Sequence, residues 1–306
     1  MTYKWFYFDF IALDDLMIVI TFHDRPYFLS FDISILDICI YQHGKKKQYS
    51  YTQPAGESVL ENFPLQIAIS KSKLMADKDS CLIQINEKDV QMELELKPEY
   101  PHWKSPVIAL YKSEKYYFNW RIFFPSLRVK GYLNTNGNKI PVQGRGYLDA
   151  NEGNYLFNKF LKSWIWGRFY SPVDSFIFGS LCFKNDEIYQ PAIYVDHENS
   201  NIFNLESNVT LNDLNLEIPV ANFKKDFKIK TLEKIDTVNL IISKIPEKMR
   251  FLRKVHEYSF DRLNRRKLGR KFASALVNVK YNRYKTISFP DDVQSYQGIL
   301  ETINFF

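Results

Sequence analysis

The chain is poor in the residues that build metal centres, disulfide scaffolds and flexible linkers. Among 306 residues it has 3 cysteines, 5 histidines and 11 glycines. Cys39, Cys81 and Cys182 stand far apart, with no Cys-x-x-Cys pair and no even count, so neither a zinc ribbon nor a disulfide framework is expected. A reducing, cytoplasmic setting is the simplest reading. His23, His43, His102, His197 and His256 never fall at metal-ligand spacing. There is no Gly-x-Gly-x-x-Gly, no P-loop and no Gly-x-Ser-x-Gly elbow, so no metal and no cofactor is expected. No apolar run approaches the roughly 20 residues that span a bilayer. The opening Met1-Thr2-Tyr3-Lys4-Trp5 lacks the basic-then-apolar order of a signal peptide. The net charge of +6 is mild and comes with no nucleic-acid fold signature, so nucleic acid is not an expected partner.

Aromatic side chains are what the sequence has in excess. They make up 16% of it, as 25 Phe, 20 Tyr and 5 Trp. Aromatic residues favour strands and line apolar sites. Lys4 to Phe10, Leu16 to Phe22 and Ile33 to Tyr41 read as strands, and Ser80 to Asn86 with Val90 to Leu96 as a pair. Lys115 to Phe124 and Leu127 to Leu133 follow. Asn134-Thr135-Asn136-Gly137-Asn138 is a hairpin turn, because Asn-Gly adopts positive φ at little cost, and Lys139 to Tyr147 returns from it. Tyr155 to Trp164 reads as a short helix or an irregular turn. Strand patterns resume at Ser175 to Phe183 and Gln190 to Asp196. Short strands with turns every eight to twelve residues or so predict an all-β sandwich or barrel. A change of character near Phe169 to Asp174 divides the chain into domains 1–172 and 173–306. The stretch from Lys248 to Lys285 is basic, with Arg265-Arg266-Lys267 at its centre. It reads first as a solvated hairpin, and it also allows peripheral contact with an anionic membrane.

One constellation carries chemistry. Gly144-Arg145-Gly146-Tyr147-Leu148-Asp149-Ala150-Asn151-Glu152-Gly153 follows an aromatic strand and precedes Trp164-Ile165-Trp166-Gly167-Arg168. If the segment is a strand, Tyr147 and Asp149 share a face. If that face is interior, burial raises the proton affinity of Asp149 and keeps it an acid. The plain alternative is a polar turn in which Asp149 and Asn151 cap backbone N–H groups. Trp164 and Trp166 also share a face when extended, either packing an interface or contacting a ligand. Arg168 is expected to pair with a carboxylate or with backbone carbonyls.

These segments resemble the carotenoid 1,2-hydratase (hydroxyneurosporene synthase) and AttH-like family, which is related to lipocalin-like Diels–Alderases. Trp5-Phe6-Tyr7-Phe8-Asp9 is similar to its Trp-Trp-Tyr-Phe-Asp opening. Residues 144–153 resemble its Gly-x-Gly-Tyr-His-Asp-His-Asn-Trp-Gly motif, and residues 164–168 its Trp-x-Trp-Gly-Arg. Tyr281-Asn282-Arg283-Tyr284 and Gly298-Ile299-Leu300-Glu301 resemble its closing strands. The resemblance implies two lipocalin-like antiparallel β-barrel domains and a site for a lipophilic small molecule. It implies Asp149 as an acid that protonates an alkene of a polyene, terpenoid or polyketide-like substrate. Tyr147 would orient the acid, and Glu152 would be a second candidate acid. Trp120, Phe118, Asn119, Asn151, Trp164 and Trp166 would surround the substrate. Leu148 and Ala150 replace the motif histidines, Glu152 replaces its Trp, and Phe118 replaces an upstream His, so strict hydration is one outcome beside cyclisation and isomerisation. A non-catalytic carrier or chaperone of a lipophilic molecule is the alternative from another class.

Overall fold

The computed structural model describes residues 2–12, 15–25, 33–55, 59–62, 64–154, 159–205, 210–212, 215–218, 227–229, 232–239, 279–286 and 297–305. The first sheet contains β1 (Tyr3–Ala12), β2 (Leu16–Asp24), β3 (Ile33–Gln42), β4 (Lys45–Pro54), β5 (Val59–Asn62) and β6 (Leu65–Ile69). It continues with β7 (Ser72–Ala76), β8 (Cys81–Asn86), β9 (Val90–Pro98), β10 (Val107–Lys112), β11 (Tyr117–Thr135) and β12 (Asn138–Gly153). The next strands are β13 (Leu161–Tyr170), β14 (Asp174–Phe183), β15 (Ile188–Tyr189), β16 (Pro191–Asp196) and β17 (Ser200–Asn204). A small separate sheet holds β18 (Thr210–Asn212), β19 (Asn215–Ile218) and β20 (Phe227–Ile229). Finally β21 (Leu232–Asn239), β22 (Val279–Thr286) and β23 (Gln297–Phe305) join β13 to β17 in the second sheet. The fold is all-β and antiparallel, as expected, with no α-helix among the described residues. No helix among them is long and apolar enough to cross a membrane.

The first sheet is a nearly closed barrel, ordered β4-β3-β2-β1-β12-β11-β9-β8-β7-β6-β5 with β10 added on β11. Its burial pattern says what lies on each side. Along β9 buried and solvent-facing residues alternate: Val90, Met92, Leu94 and Leu96 point in and their neighbours face out. That is the signature of a wall with water on one side. Along β1 and β2 no residue is exposed and most are buried. Phe6, Phe8, Phe10, Ile18 and Ile20 fill the barrel, while Tyr3, Tyr7, Met17 and Val19 pack outward into a second apolar cluster. The dense aromatic opening therefore serves two layers at once.

Two local features set the register. At the β11–β12 turn Asn136 and Gly137 both have positive φ, 55° and 81°, which suits the twist of a two-residue hairpin. The sequence suggests two strands around Pro125, but β11 is continuous, with register shifts between Ile122 and Phe124 and between Phe124 and Leu127. A proline lacks the ladder N–H and is accommodated at such a bulge. There β11 exchanges partners: β10 pairs its first part and β9 its second.

The segment read as helix or turn behaves differently. Residues 155–158 lie outside the described residues, and Trp164 sits within strand β13. That strand precedes the expected boundary at 172, yet it pairs with β14 and β23, so the change of sheet falls between Gly153 and Leu161. Most of the basic stretch, residues 248–278, also lies outside the described residues.

Candidate active site

The polar turn that residues 149–151 could have formed does not occur. Residues 138–153 are one strand, paired with β1 on one side and β11 on the other. Gly144 and Gly146 therefore lie within a ladder, and a Cβ on Gly144 would run into the backbone carbonyl oxygen of Ile11. Strand alternation then sorts the motif. Leu148 and Ala150 belong to the barrel core, whereas Tyr147 belongs to the cluster between the sheets. Asp149 and Asn151 share the parity of Tyr147 and are equally buried.

β11 and β13 complete the surroundings. Trp120, opposite Asn151 in register, donates its indole N–H to Asp149 Oδ2 at 2.8 Å. Tyr147 donates its hydroxyl to the same oxygen, also at 2.8 Å. Asn151 Nδ2 lies 3.4 Å from Oδ1, and Asn151 Oδ1 is buried without a partner. The amide orientation follows from the hydrogen-bond network, so a turned amide offers Oδ1 of Asn151 as an acceptor for a proton on Asp149. Burial is the main influence on the Asp149 carboxyl group and raises it to about 8. The donors from Trp120 and Tyr147 oppose the shift, and the negative charges of Asp9 and Glu301 reinforce it. Burial also pushes the Tyr147 phenol well above its ordinary value, so it stays a donor.

The second sheet covers this group. Trp166 lies 5.3 Å from the Tyr7 ring and 5.4 Å from the Tyr147 ring, and Trp164 meets Phe118 edge-on at 5.7 Å. The indole N–H of Trp166 is buried and unpartnered. Arg168, fully buried, forms an ion pair with Asp9 and lies 4.8 Å from the Tyr170 ring and 5.7 Å from the Tyr147 ring. Its Nε and Nη1 have no acceptor. Burial lifts Asp9 to about 6 against the pull of Arg168.

Two expected site residues lie elsewhere. Glu152 has the opposite parity from Asp149, is 38% exposed in its side chain, accepts from the Tyr117 hydroxyl at 2.9 Å and pairs with Lys4 at 3.7 Å. Asn119, opposite Glu152 in register, shares that parity, which is the barrel face of Leu148 and Ala150 and not the face of Asp149. Residues that the sequence did not assign to the site take part instead. Tyr7 donates to Glu301 Oε1 at 3.0 Å, and Arg283 Nε reaches the same oxygen at 2.7 Å while its Nη1 donates to Tyr41. Asp9 stands out locally, as an acid inside an aromatic strand, and Tyr7, Arg283 and Glu301 lie in segments that resemble the family's opening and closing strands. Among the described residues no group of three His, Cys, Asp or Glu side chains is placed to hold a metal ion.

Solved structures share this fold at low identity. A protein described as AttH from Nitrosomonas europaea superposes with a TM-score of 0.60 at 14% identity, covering 100% of this chain and 93% of that one. CghA crystallised with Sch210972 gives 0.59 at 9% identity, covering 100% and 88%. Kievitone hydratase from Nectria haematococca gives 0.56 at 9% identity, covering 99% and 88%. No curated protein matches the chain by sequence. The carotenoid hydratase CrtC family model matches residues 32–212, which takes in β11, β12, β13 and the Tyr147, Asp149 and Trp120 cluster. With that match extending over more than half of its length, the chain belongs to the carotenoid hydratase CrtC family.

Proposed function

We propose that the chain is an enzyme that protonates a carbon–carbon double bond of a hydrophobic polyene, terpenoid or polyketide-like intermediate, with Asp149 as the acid. The proton adds to one alkene carbon and leaves a cation on its neighbour. Loss of a different proton then isomerises the double bond, attack by an internal alkene followed by loss of a proton closes a ring, and attack by water followed by loss of one of its protons hydrates; in each case the released proton restores the acid form of Asp149. Asp149 carries this reading because it is a buried carboxyl group, raised to about 8, that holds a proton at neutral pH. Oδ2 accepts both short hydrogen bonds, which leaves Oδ1 as the edge that bears the proton. Tyr147 and Trp120 orient the acid, and the rings of Tyr7, Phe118 and Trp166 offer π faces to a cation. Membership of a hydratase family supports the same chemistry.

A carrier of lipophiles gains nothing from a carboxylic acid in a buried layer, where each polar group costs free energy. The donors to Asp149 are side chains, since the β12 backbone is engaged in ladders on both sides. The test incubates wild type and Asp149→Asn with an acyclic carotene in D2O and reads deuterium in the recovered polyene by mass spectrometry. Incorporation by wild type alone supports the acid. Equal incorporation by both sinks it, and saturable binding with no incorporation favours the carrier.

A further inference from the structure

The layer between the sheets holds more charge than one acid. Among the described residues it contains three carboxyl groups, Asp9, Asp149 and Glu301, and two guanidinium groups, Arg168 and Arg283, all buried. Arg168 pairs with Asp9, and Arg283 pairs with Glu301. Phenols join both pairs to the acid. Arg168 lies against the ring of Tyr147, whose hydroxyl donates to Asp149. Tyr7, directly opposite Asp149 in the β1–β12 register, donates to Glu301. Tyr41 accepts a hydrogen bond from Arg283 Nη1.

We propose that Asp9 and Glu301 are positioning residues for the acid: charge balance across this buried cluster keeps one proton in it, on the carboxyl group that has no guanidinium. A net charge in a low-dielectric layer is expensive, and arginine does not give up its proton there. Three carboxylates against two guanidiniums leave one negative charge in excess. One proton on Asp149 cancels it, and both Asp9 and Glu301 act on Asp149 in that direction. Removing either carboxylate brings the count to two against two and takes away one of the charges that reinforce the effect of burial on Asp149. The inference builds on the proposed role of Asp149, but the proton can be counted without any substrate.

The experiment is a carboxyl carbon-13 NMR titration of the full chain labelled in aspartate, with the Asp149 signal assigned by its loss in Asp149→Asn. In wild type the midpoint lies at about 8. In Glu301→Gln it falls by roughly one pH unit or more. Asp9→Asn moves it the same way and serves if Glu301→Gln does not fold. A wild-type midpoint that stays high and ignores both substitutions overturns this inference and leaves the acid in place. A wild-type midpoint in the ordinary carboxylate range overturns the acid reading itself.

Discussion

Tyr7 and Asp149 stand directly opposite each other on β1 and β12, yet their side chains bond to different partners. Tyr7 donates across the interface to Glu301 in the second sheet, while Asp149 takes its donors from Trp120 and Tyr147 in the first. The acid is thus oriented wholly by the sheet that carries it. The neighbouring phenol ties that sheet to the one above.

Through the proton it holds, Asp149 should make stability fall as pH rises from about 4 to about 8. Its folded-state value, about 8, lies above the ordinary 3.8, so the folded chain binds the extra proton. The favourable contribution is complete below the unfolded value and is lost as pH climbs through the folded one. Urea titrations from about pH 4 to pH 8 should show wild type losing more unfolding free energy than Asp149→Asn. Parallel losses would remove Asp149 from this role.

Trp120→Phe deletes one of the donors that hold the Asp149 proton affinity down. The alkaline limb of the pH–rate profile should therefore move upward from about 8, in the direction opposite to Glu301→Gln. A downward movement would contradict the hydrogen-bond assignment.

Arg168→Met strands the Asp9 carboxylate in a fully buried position. Breaking such a pair from one side costs about 3–5 kcal/mol. Combining it with Asp9→Asn should recover much of that loss in urea denaturation, since no lone charge is then left behind. No recovery would mean that Arg168 acts chiefly through its contacts with Tyr147 and Tyr170.

Restoring the motif histidines should harm the chain. Leu148 and Ala150 face the phenylalanine-filled barrel, so Leu148→His or Ala150→His buries an imidazole away from Asp149. We expect a loss of about 2 kcal/mol or more and no gain in alkene protonation. A gain in activity would show that this face reaches the substrate.

Much of the barrel was legible because its strands alternate cleanly, as in β9, and because Asn136-Gly137 announces its turn. β11 was not, since Pro125 looks like a terminator when the bulge that tolerates it depends on two different partners. Residues 149–151 carry turn-forming side chains, and only the donors waiting on β11 and β12 make a strand the better home for them. Glu152 was misplaced although parity alone separates it from Asp149 by an odd number of steps. Glu301 and Arg283 lie in segments that resemble the family's closing strands, but their place beside Asp149 was not legible, because it depends on where β22 and β23 arrive in space.

The two faces of β12 have a consequence for folding errors. A slip of one residue against β1 would turn Asp149 and Asn151 into the phenylalanine layer and present Leu148 and Ala150 to the second sheet. Such a molecule would lose its core and its chemistry in the same step. The strand acts as its own proofreader: a chain in the wrong register has no packed interior from which to persist as an inactive look-alike.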